Sequence, residues 1–153
     1  MNVLYTAFNG KNNSSKILLD RIDGNNKLYL RNSFITSVDS LKKELLKNNY
    51  DLVICFGEAY LPIDTIKIEL VGRKDMIVYK TSFDYSDLVS KLKNNNYKVI
   101  VSEDAGNYLC NNLYYNGLKY LNDNNMNIKM IFIHIPKISN ISDIDKLAGV
   151  FKG

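Results

Sequence analysis

The stretch "YKVIVSEDAGNYLCNNLYYNGLKYL", residues 97–121, indicates the fold class, because its hydrophobic period changes from that of a strand to that of a helix. Residues 97–102 are a short apolar run typical of a strand, and "EDAG" is typical of a turn. From residue 106 onward, apolar side chains recur three and four positions apart. A strand that leads directly into a helix predicts the repeating unit of a largely parallel sheet.

The same alternation continues through the rest of the chain. Strands are predicted at residues 2–8, 27–31, 51–57, 65–71, 75–80, 97–102 and 128–135, and helices at residues 14–22, 37–48, 85–95, 106–122 and 143–151. Continuous apolar strands separated by helices predict an α/β fold with both faces of the sheet covered. Because no repeat or linker interrupts the pattern, we predict one domain over residues 1–153.

Composition excludes several classes of function. The net charge is +4, but the lysines are spread along the chain and form no run of five or six basic residues, so we expect no nucleic-acid partner. No apolar run approaches the roughly 20 residues that span a membrane, and we expect a soluble, cytoplasmic protein. Two cysteines and one histidine predict neither a disulfide framework nor a zinc site, and we expect no metal or cofactor.

Cys110 is the first candidate for chemistry, because it lies near the predicted start of the helix that follows the turn. The N–H groups and the dipole at a helix N-terminus lower the pKa of a thiol, which increases the reactive thiolate fraction. Cys110 also shares a stripe with apolar residues such as Leu113 and Leu121. The residues alone therefore leave a small buried core cysteine as the alternative.

His134, the one histidine, ends the last predicted strand, just before Pro136. Ligand crevices in open α/β sheets lie outside the carboxyl ends of strands, which suits a general base. A structural histidine between isoleucines is the alternative. Because Cys110 follows the end of one strand and His134 ends another, the two side chains could meet at one edge of the sheet.

The segment from residue 101 to 121, followed by "MIFIHIP", resembles the active-site region of the pyroglutamyl peptidases, a family of cysteine peptidases also called pyrrolidone-carboxylate peptidases. In that family a strand ending in Ser leads to an Ala-Gly turn, a nucleophilic Cys-Asn pair, a Tyr, and a strand ending in His-hydrophobic-Pro. The matching positions are Ser102, Ala105, Gly106, Cys110, Asn111, Tyr115, His134 and Pro136. The resemblance implies that Cys110 is the nucleophile and His134 its base.

The resemblance also implies a glutamate that orients the imidazole. The family carries it in a strand about a dozen residues after a Gly-x-Ala turn, for which Gly57 and Ala59 are the match. Glu69 falls one residue later than the usual spacing and is our choice, with Glu58 in the turn as the competitor. A surface carboxylate is the alternative for either, and Cys55 is predicted to be core.

The chain departs from the family where the substrate would be enclosed. The N-terminal motif is reduced to "TAFNGKNNSS", in which Phe8 is the aromatic residue that could still contact a substrate ring, unless it is ordinary core. The long loop after the glutamate strand is essentially deleted. The catalytic residues are therefore predicted to be retained, while the specificity elements are trimmed.

The resemblance implies a three-layer α/β/α sandwich around a mostly parallel mixed sheet. It implies hydrolysis of an N-terminal pyroglutamyl, or similar small acyl, group from a small peptide substrate with a blocked N-terminus, and association into a homo-oligomer. The alternative is a degenerate relative that acts as a binding or structural protein.

Overall fold

The computed structural model describes residues 1–152, which form eight strands and five α-helices. The strands are β1 (Val3–Phe8), β2 (Lys27–Leu30), β3 (Leu52–Glu58), β4 (Thr65–Glu69), β5 (Val71–Lys74), β6 (Ile77–Lys80), β7 (Lys98–Ser102) and β8 (Lys129–Ile135). The helices are α1 (Ser14–Arg21), α2 (Phe34–Lys47), α3 (Ser86–Asn94), α4 (Leu109–Asp123) and α5 (Ile144–Phe151). A single 3-10 turn, Ile138–Asn140, precedes α5.

Six of the strands form one mixed sheet in the order β2-β1-β3-β8-β4-β7. All neighbours in this sheet are parallel except β4 and β8, which run antiparallel. The predicted α/β fold with a mostly parallel sheet is therefore confirmed.

Helices cover both faces of the sheet. Successive side chains of each strand point to opposite faces, so alternate residues of one strand contact different helices. In β8, Ile131 and Ile133 pack with residues of α1, α3 and α5, whereas Met130 and Phe132 pack with residues of α2 and α4. The sheet is thus the middle layer of an α/β/α sandwich. None of the helices within residues 1–152 is long and apolar enough to cross a membrane.

The strand predicted at residues 65–71 is divided in the structure. β4 ends at Glu69, and Val71 begins β5, which pairs with β6 as a separate antiparallel hairpin. The chain leaves the main sheet where its neighbour β7 ends, and the Leu70 N–H donates to the Ser102 carbonyl at 2.8 Å. The hairpin then packs directly on α4, where a Cβ at Gly72 would lie 2.5 Å from the Tyr115 backbone nitrogen.

Two helices begin at residues other than those predicted, and the local backbone explains both. α2 starts at Phe34 rather than residue 37, because the Ser33 hydroxyl accepts from the Thr36 N–H at 3.1 Å. α4 starts at Leu109 rather than residue 106, because Gly106 has a φ of +86° and Tyr108 is extended. The turn before α4 is therefore longer than the sequence pattern suggested.

Candidate active site

The candidate site lies where β3 and β8 end side by side. Because these strands are parallel, their carboxyl ends lie at the same edge of the sheet, and Gly57 of β3 is the register partner of His134 of β8. Both positions face α2 and α4, since they alternate with Phe56, Ile133 and Ile135, which face the other helices. His134 is buried, with its ring 5.0 Å from that of Phe132 between centroids.

Cys110 reaches this strand end from the first turn of α4. Its sulfur would lie only 2.7 Å from a Cβ built on Gly57, so the thiol occupies the space that a side chain at Gly57 would fill. The thiol therefore lies above β3, on the face of the sheet that also carries the His134 side chain. Because β3 and β8 are neighbours, their backbones are only about 4.8 Å apart. The structure therefore brings the two predicted residues to one edge.

Glu69 contacts the imidazole from β4, the strand that neighbours β8 on the side away from β3. Its Oε2 lies 2.7 Å from His134 Nδ1, and the carboxylate is completely buried. The Tyr114 hydroxyl donates to the backbone carbonyl of Glu69 at 2.9 Å, which fixes the end of β4 against α4. A carboxylate at Nδ1 favours the tautomer with its proton on that nitrogen and leaves Nε2 free to accept a proton.

Glu58, the competing glutamate, has a different environment. It is exposed at the end of β3, and its Oε1 accepts from the Ser14 N–H at 2.9 Å. A carboxylate at the first turn of α1 accepts a hydrogen bond from a free N–H, and its negative charge interacts favourably with the positive end of the helix dipole. The structure thus brings Glu69 to the imidazole and places Glu58 at a helix start.

The predicted lowering of the Cys110 pKa is wrong in sign. Burial, followed by the negative charge of Glu69, raises the pKa of the Cys110 thiol to about 12. The N-terminus of α4 acts in the opposite direction, but the pattern of residues did not show how deeply α4 buries the sulfur. The resting thiol therefore keeps its proton at neutral pH, and its activation requires a base.

Backbone N–H groups are available beside the thiol. The first N–H groups of a helix have no carbonyl partner within it, and the Tyr108 side chain does not cap α4. The first turn that holds Cys110 therefore presents donors suited to a developing oxyanion.

Asn111 has a role that its place in the sequence motif did not reveal. Its Oδ1 accepts from the Arg73 N–H at 2.9 Å, and its Nδ2 donates to the Arg73 carbonyl at 2.8 Å. These two bonds join the first turn of α4 to the β5–β6 hairpin. The signal was the Asn that follows the cysteine. Its partner could not be found, because Arg73 lies between the strands predicted at residues 65–71 and 75–80, and the pattern did not show that this segment forms a hairpin against α4.

Phe8 and Cys55 both lie in the hydrophobic cluster beneath α2 and α4. Phe8 is 3% exposed, so nearly all of its ring is occupied by core contacts, and the structure leaves little of it accessible to a substrate. Cys55 is fully buried, which confirms its prediction as core, and burial raises the pKa of its thiol to about 12.

The chain belongs to the pyroglutamyl peptidase family, whose model matches residues 65–150, more than half of its length. The pyrrolidone-carboxylate peptidase of Brachyspira hyodysenteriae is 31% identical over 134 residues, covering 74% of this chain and 67% of the relative. Pyrrolidone-carboxylate peptidase 1 of Caldanaerobacter subterraneus subsp. tengcongensis is 29% identical over 167 residues, covering 89% and 82%.

Solved structures of similar proteins have the same fold. Pyroglutamyl peptidase I of Bacillus amyloliquefaciens superposes with a TM-score of 0.86 at 21% identity, covering 97% of this chain and 91% of the other. Pyrrolidone carboxyl peptidase of Fervidobacterium islandicum superposes with a TM-score of 0.82 at 21% identity, covering 97% and 93%. The resemblance found in the sequence and the family match therefore agree, and the chain is a pyroglutamyl-peptidase-like cysteine hydrolase.

Proposed function

We propose that this hydrolase removes an N-terminal pyroglutamyl, or closely similar small acyl, group from peptides through Cys110, His134 and Glu69. The observation that carries the proposal is the buried 2.7 Å contact between Glu69 Oε2 and His134 Nδ1, next to a strand end above which the Cys110 sulfur lies. A carboxylate, an imidazole and a thiol in this order are the components of a Cys-His-acid triad.

In the first half of the reaction, the Cys110 sulfur attacks the carbonyl carbon of the acyl group. The thiol proton passes to His134 Nε2, and the Glu69 carboxylate stabilises the imidazolium that forms. The carbonyl oxygen becomes an oxyanion and accepts hydrogen bonds from N–H groups of the first turn of α4. Because burial raises the Cys110 pKa, the attack requires His134 to take the thiol proton.

In the second half, His134 donates its proton to the leaving amine nitrogen as the C–N bond breaks. A thioester between Cys110 and the acyl group remains. Water, deprotonated by His134, then attacks the thioester carbon, and the sulfur leaves and recovers a proton. The free acid and the thiol enzyme are the products.

Hydrolysis of a pyroglutamyl fluorogenic amide tests this proposal directly. We expect release of the fluorophore by the native protein and no detectable release by Cys110→Ala. Cys55→Ala removes the other thiol and is the control, because Cys55 is fully buried in the core. Hydrolysis by Cys110→Ala at the native rate would overturn the assignment of the nucleophile.

A degenerate relative without catalysis is the competing function, because little of Phe8 is exposed and the sequence lacks a match to the family's long loop after the glutamate strand. Labelling by a pyroglutamyl-type acyl electrophile separates the two. An enzyme takes up the label at Cys110 and releases it as the thioester hydrolyses. A protein that neither hydrolyses the amide nor accepts the label at Cys110 is not a peptidase of this type.

A further inference from the structure

Lys67 lies within the candidate site, although no sequence motif indicated it. It is two residues before Glu69 on β4, and Ile66 and Ile68 point to the opposite face, so Lys67 and Glu69 face α4 together. In the antiparallel pairing of β4 with β8, Lys67 is the register partner of His134. The strand geometry alone therefore places an ammonium next to the imidazole.

The side chain of Lys67 contacts the same carboxylate oxygen as the imidazole. Its Nζ lies 3.3 Å from Glu69 Oε2, the oxygen that His134 Nδ1 contacts at 2.7 Å. Glu69 Oε1 is buried without a hydrogen-bond partner among residues 1–152, so both partners act on one oxygen. Lys67 is 26% exposed, which keeps the ammonium partly hydrated while its charge faces a buried carboxylate.

Lys67 also contacts the turn that leads to the nucleophile. Its Nζ donates to the Asp104 carbonyl at 3.0 Å, in the segment between β7 and α4. One ammonium therefore connects the acid of the proposed triad with the loop that precedes Cys110.

These contacts have an electrostatic consequence. The titratable groups placed beside Glu69 are Lys67 on β4 and Cys110 and Tyr114 on α4. In the turn before α4, the Asp104 carboxylate accepts from the Gly106 N–H, and Cys55 of β3 is buried in the cluster below. Of these, the ammonium is the group that is positively charged at neutral pH. A positive charge that shares Oε2 stabilises the Glu69 carboxylate and opposes a second positive charge on the imidazole.

We propose that Lys67 is a positioning residue that keeps Glu69 ionised while His134 stays neutral in the resting enzyme, ready to accept the Cys110 proton. The role of Lys67 in catalysis rests on the proposed function, whereas its effect on the protonation of His134 does not. It predicts that removal of the ammonium makes the imidazole easier to protonate.

The single histidine makes this measurable without any substrate. The imidazole C–H resonances of His134 can be followed by NMR as the pH is changed, in the native protein and in Lys67→Met. The titration midpoint should rise by about half to one pH unit in the variant, because the ammonium no longer opposes the imidazolium. Lys67→Arg keeps the charge and should return the midpoint to within about 0.2 units of the native value.

Lys98→Met is the matched control, since it removes one positive charge from an exposed position on the neighbouring strand β7. The Lys98 side chain takes part in no ion pair among residues 1–152, and its removal should leave the midpoint unchanged. If Lys67→Met does not fold, as judged by circular dichroism, Lys67→Gln removes the charge and keeps a donor for the Asp104 carbonyl.

Activity provides the second readout. The acid limb of the kcat/KM profile on a pyroglutamyl amide should move to higher pH by the same amount in Lys67→Met and stay in place in Lys98→Met. An unchanged midpoint in a folded, uncharged variant would overturn the role of Lys67, whether or not the protein is a peptidase. Inactivity of the native protein with a shifted midpoint would instead overturn the proposed function alone.

Discussion

Two glutamates near the candidate site show how position determines the chemistry of one residue type. Glu69 is completely buried against His134, whereas Glu58 is exposed at the end of β3, where its carboxylate accepts from the Ser14 N–H of α1. A buried carboxylate interacts strongly with a neighbouring imidazolium because little water screens the charges. An exposed carboxylate at a helix N-terminus contributes only a modest stabilisation.

Replacing each glutamate by glutamine tests this difference. Glu69→Gln should lower kcat/KM by about 10²–10⁴-fold, because a neutral amide stabilises the imidazolium poorly and can favour the wrong tautomer. Glu58→Gln should leave kcat/KM within about twofold and lower the free energy of unfolding by about 1 kcal/mol at most. Both are measured by initial rates and urea unfolding, and equal losses of activity in the two variants would contradict the assignment of Glu69.

At the scale of elements, the site depends on the close approach of α4 to the end of β3. The residue at this crossing is Gly57, and its missing side chain leaves the space that the Cys110 sulfur and the Phe132 ring occupy. A built Cβ would lie 2.7 Å from the sulfur and 2.9 Å from Phe132 Cε1, closer than atoms in van der Waals contact. The distance between helix and sheet is therefore fixed by a residue that performs no chemistry.

Gly57→Ala should displace the thiol from its position above β3. A displacement of about 1 Å can reduce the rate roughly a hundredfold, and crowding of a packed core costs about 1–3 kcal/mol of unfolding free energy. The control is Gly149→Ala in α5, where an added Cβ meets no atom within 4 Å. That change should leave activity intact and stabilise the helix by about 1 kcal/mol at most. Full activity of Gly57→Ala would show that the thiol tolerates the shift.

At the scale of the whole molecule, local periodicity was enough to predict most of the strands and helices. The strand at 97–102 and the apolar stripe of α4 could be recognised because a sheet buried on both faces and a helix have different hydrophobic periods. The break between β4 and β5 could not, because residues 65–71 are one apolar run and the chain turns away only where β7 ends. The hydrophobic pattern of residues 65–71 therefore does not show where β4 ends, because that point depends on a neighbouring strand.

The candidate site could likewise be predicted only in part from the sequence. Cys110, His134 and Glu69 could be proposed from motif and order along the chain, but Lys67 becomes visible only when β4 and β8 are placed in register. The sign of the Cys110 pKa shift also required the structure, because the depth of burial is a property of packing between elements.

Burial affects weak acids throughout the molecule, which gives the protein a pH-dependent stability. Burial raises the pKa of Cys55 and Cys110 to about 12, and it also raises the pKa of Tyr50 and Tyr97 to about 12. In an unfolded chain these groups lose their protons near pH 8.5 for cysteine and near pH 10 for tyrosine. Between those values and pH 12, the unfolded state therefore binds fewer protons than the folded state.

The free energy of unfolding should consequently change little between about pH 7 and pH 8 and fall as the pH rises further, because stability decreases with pH wherever the folded state holds the extra proton. Each such group contributes a slope of at most about 1.4 kcal/mol per pH unit. Urea unfolding from pH 7 to pH 11.5, with a reductant present, measures this slope. Tyr97→Phe should make the slope shallower above pH 10, because it removes one buried phenol. Tyr60→Phe, at a fully exposed position, is the control and should match the native slope, whereas a native protein whose stability did not fall above pH 9 would contradict the raised pKa values.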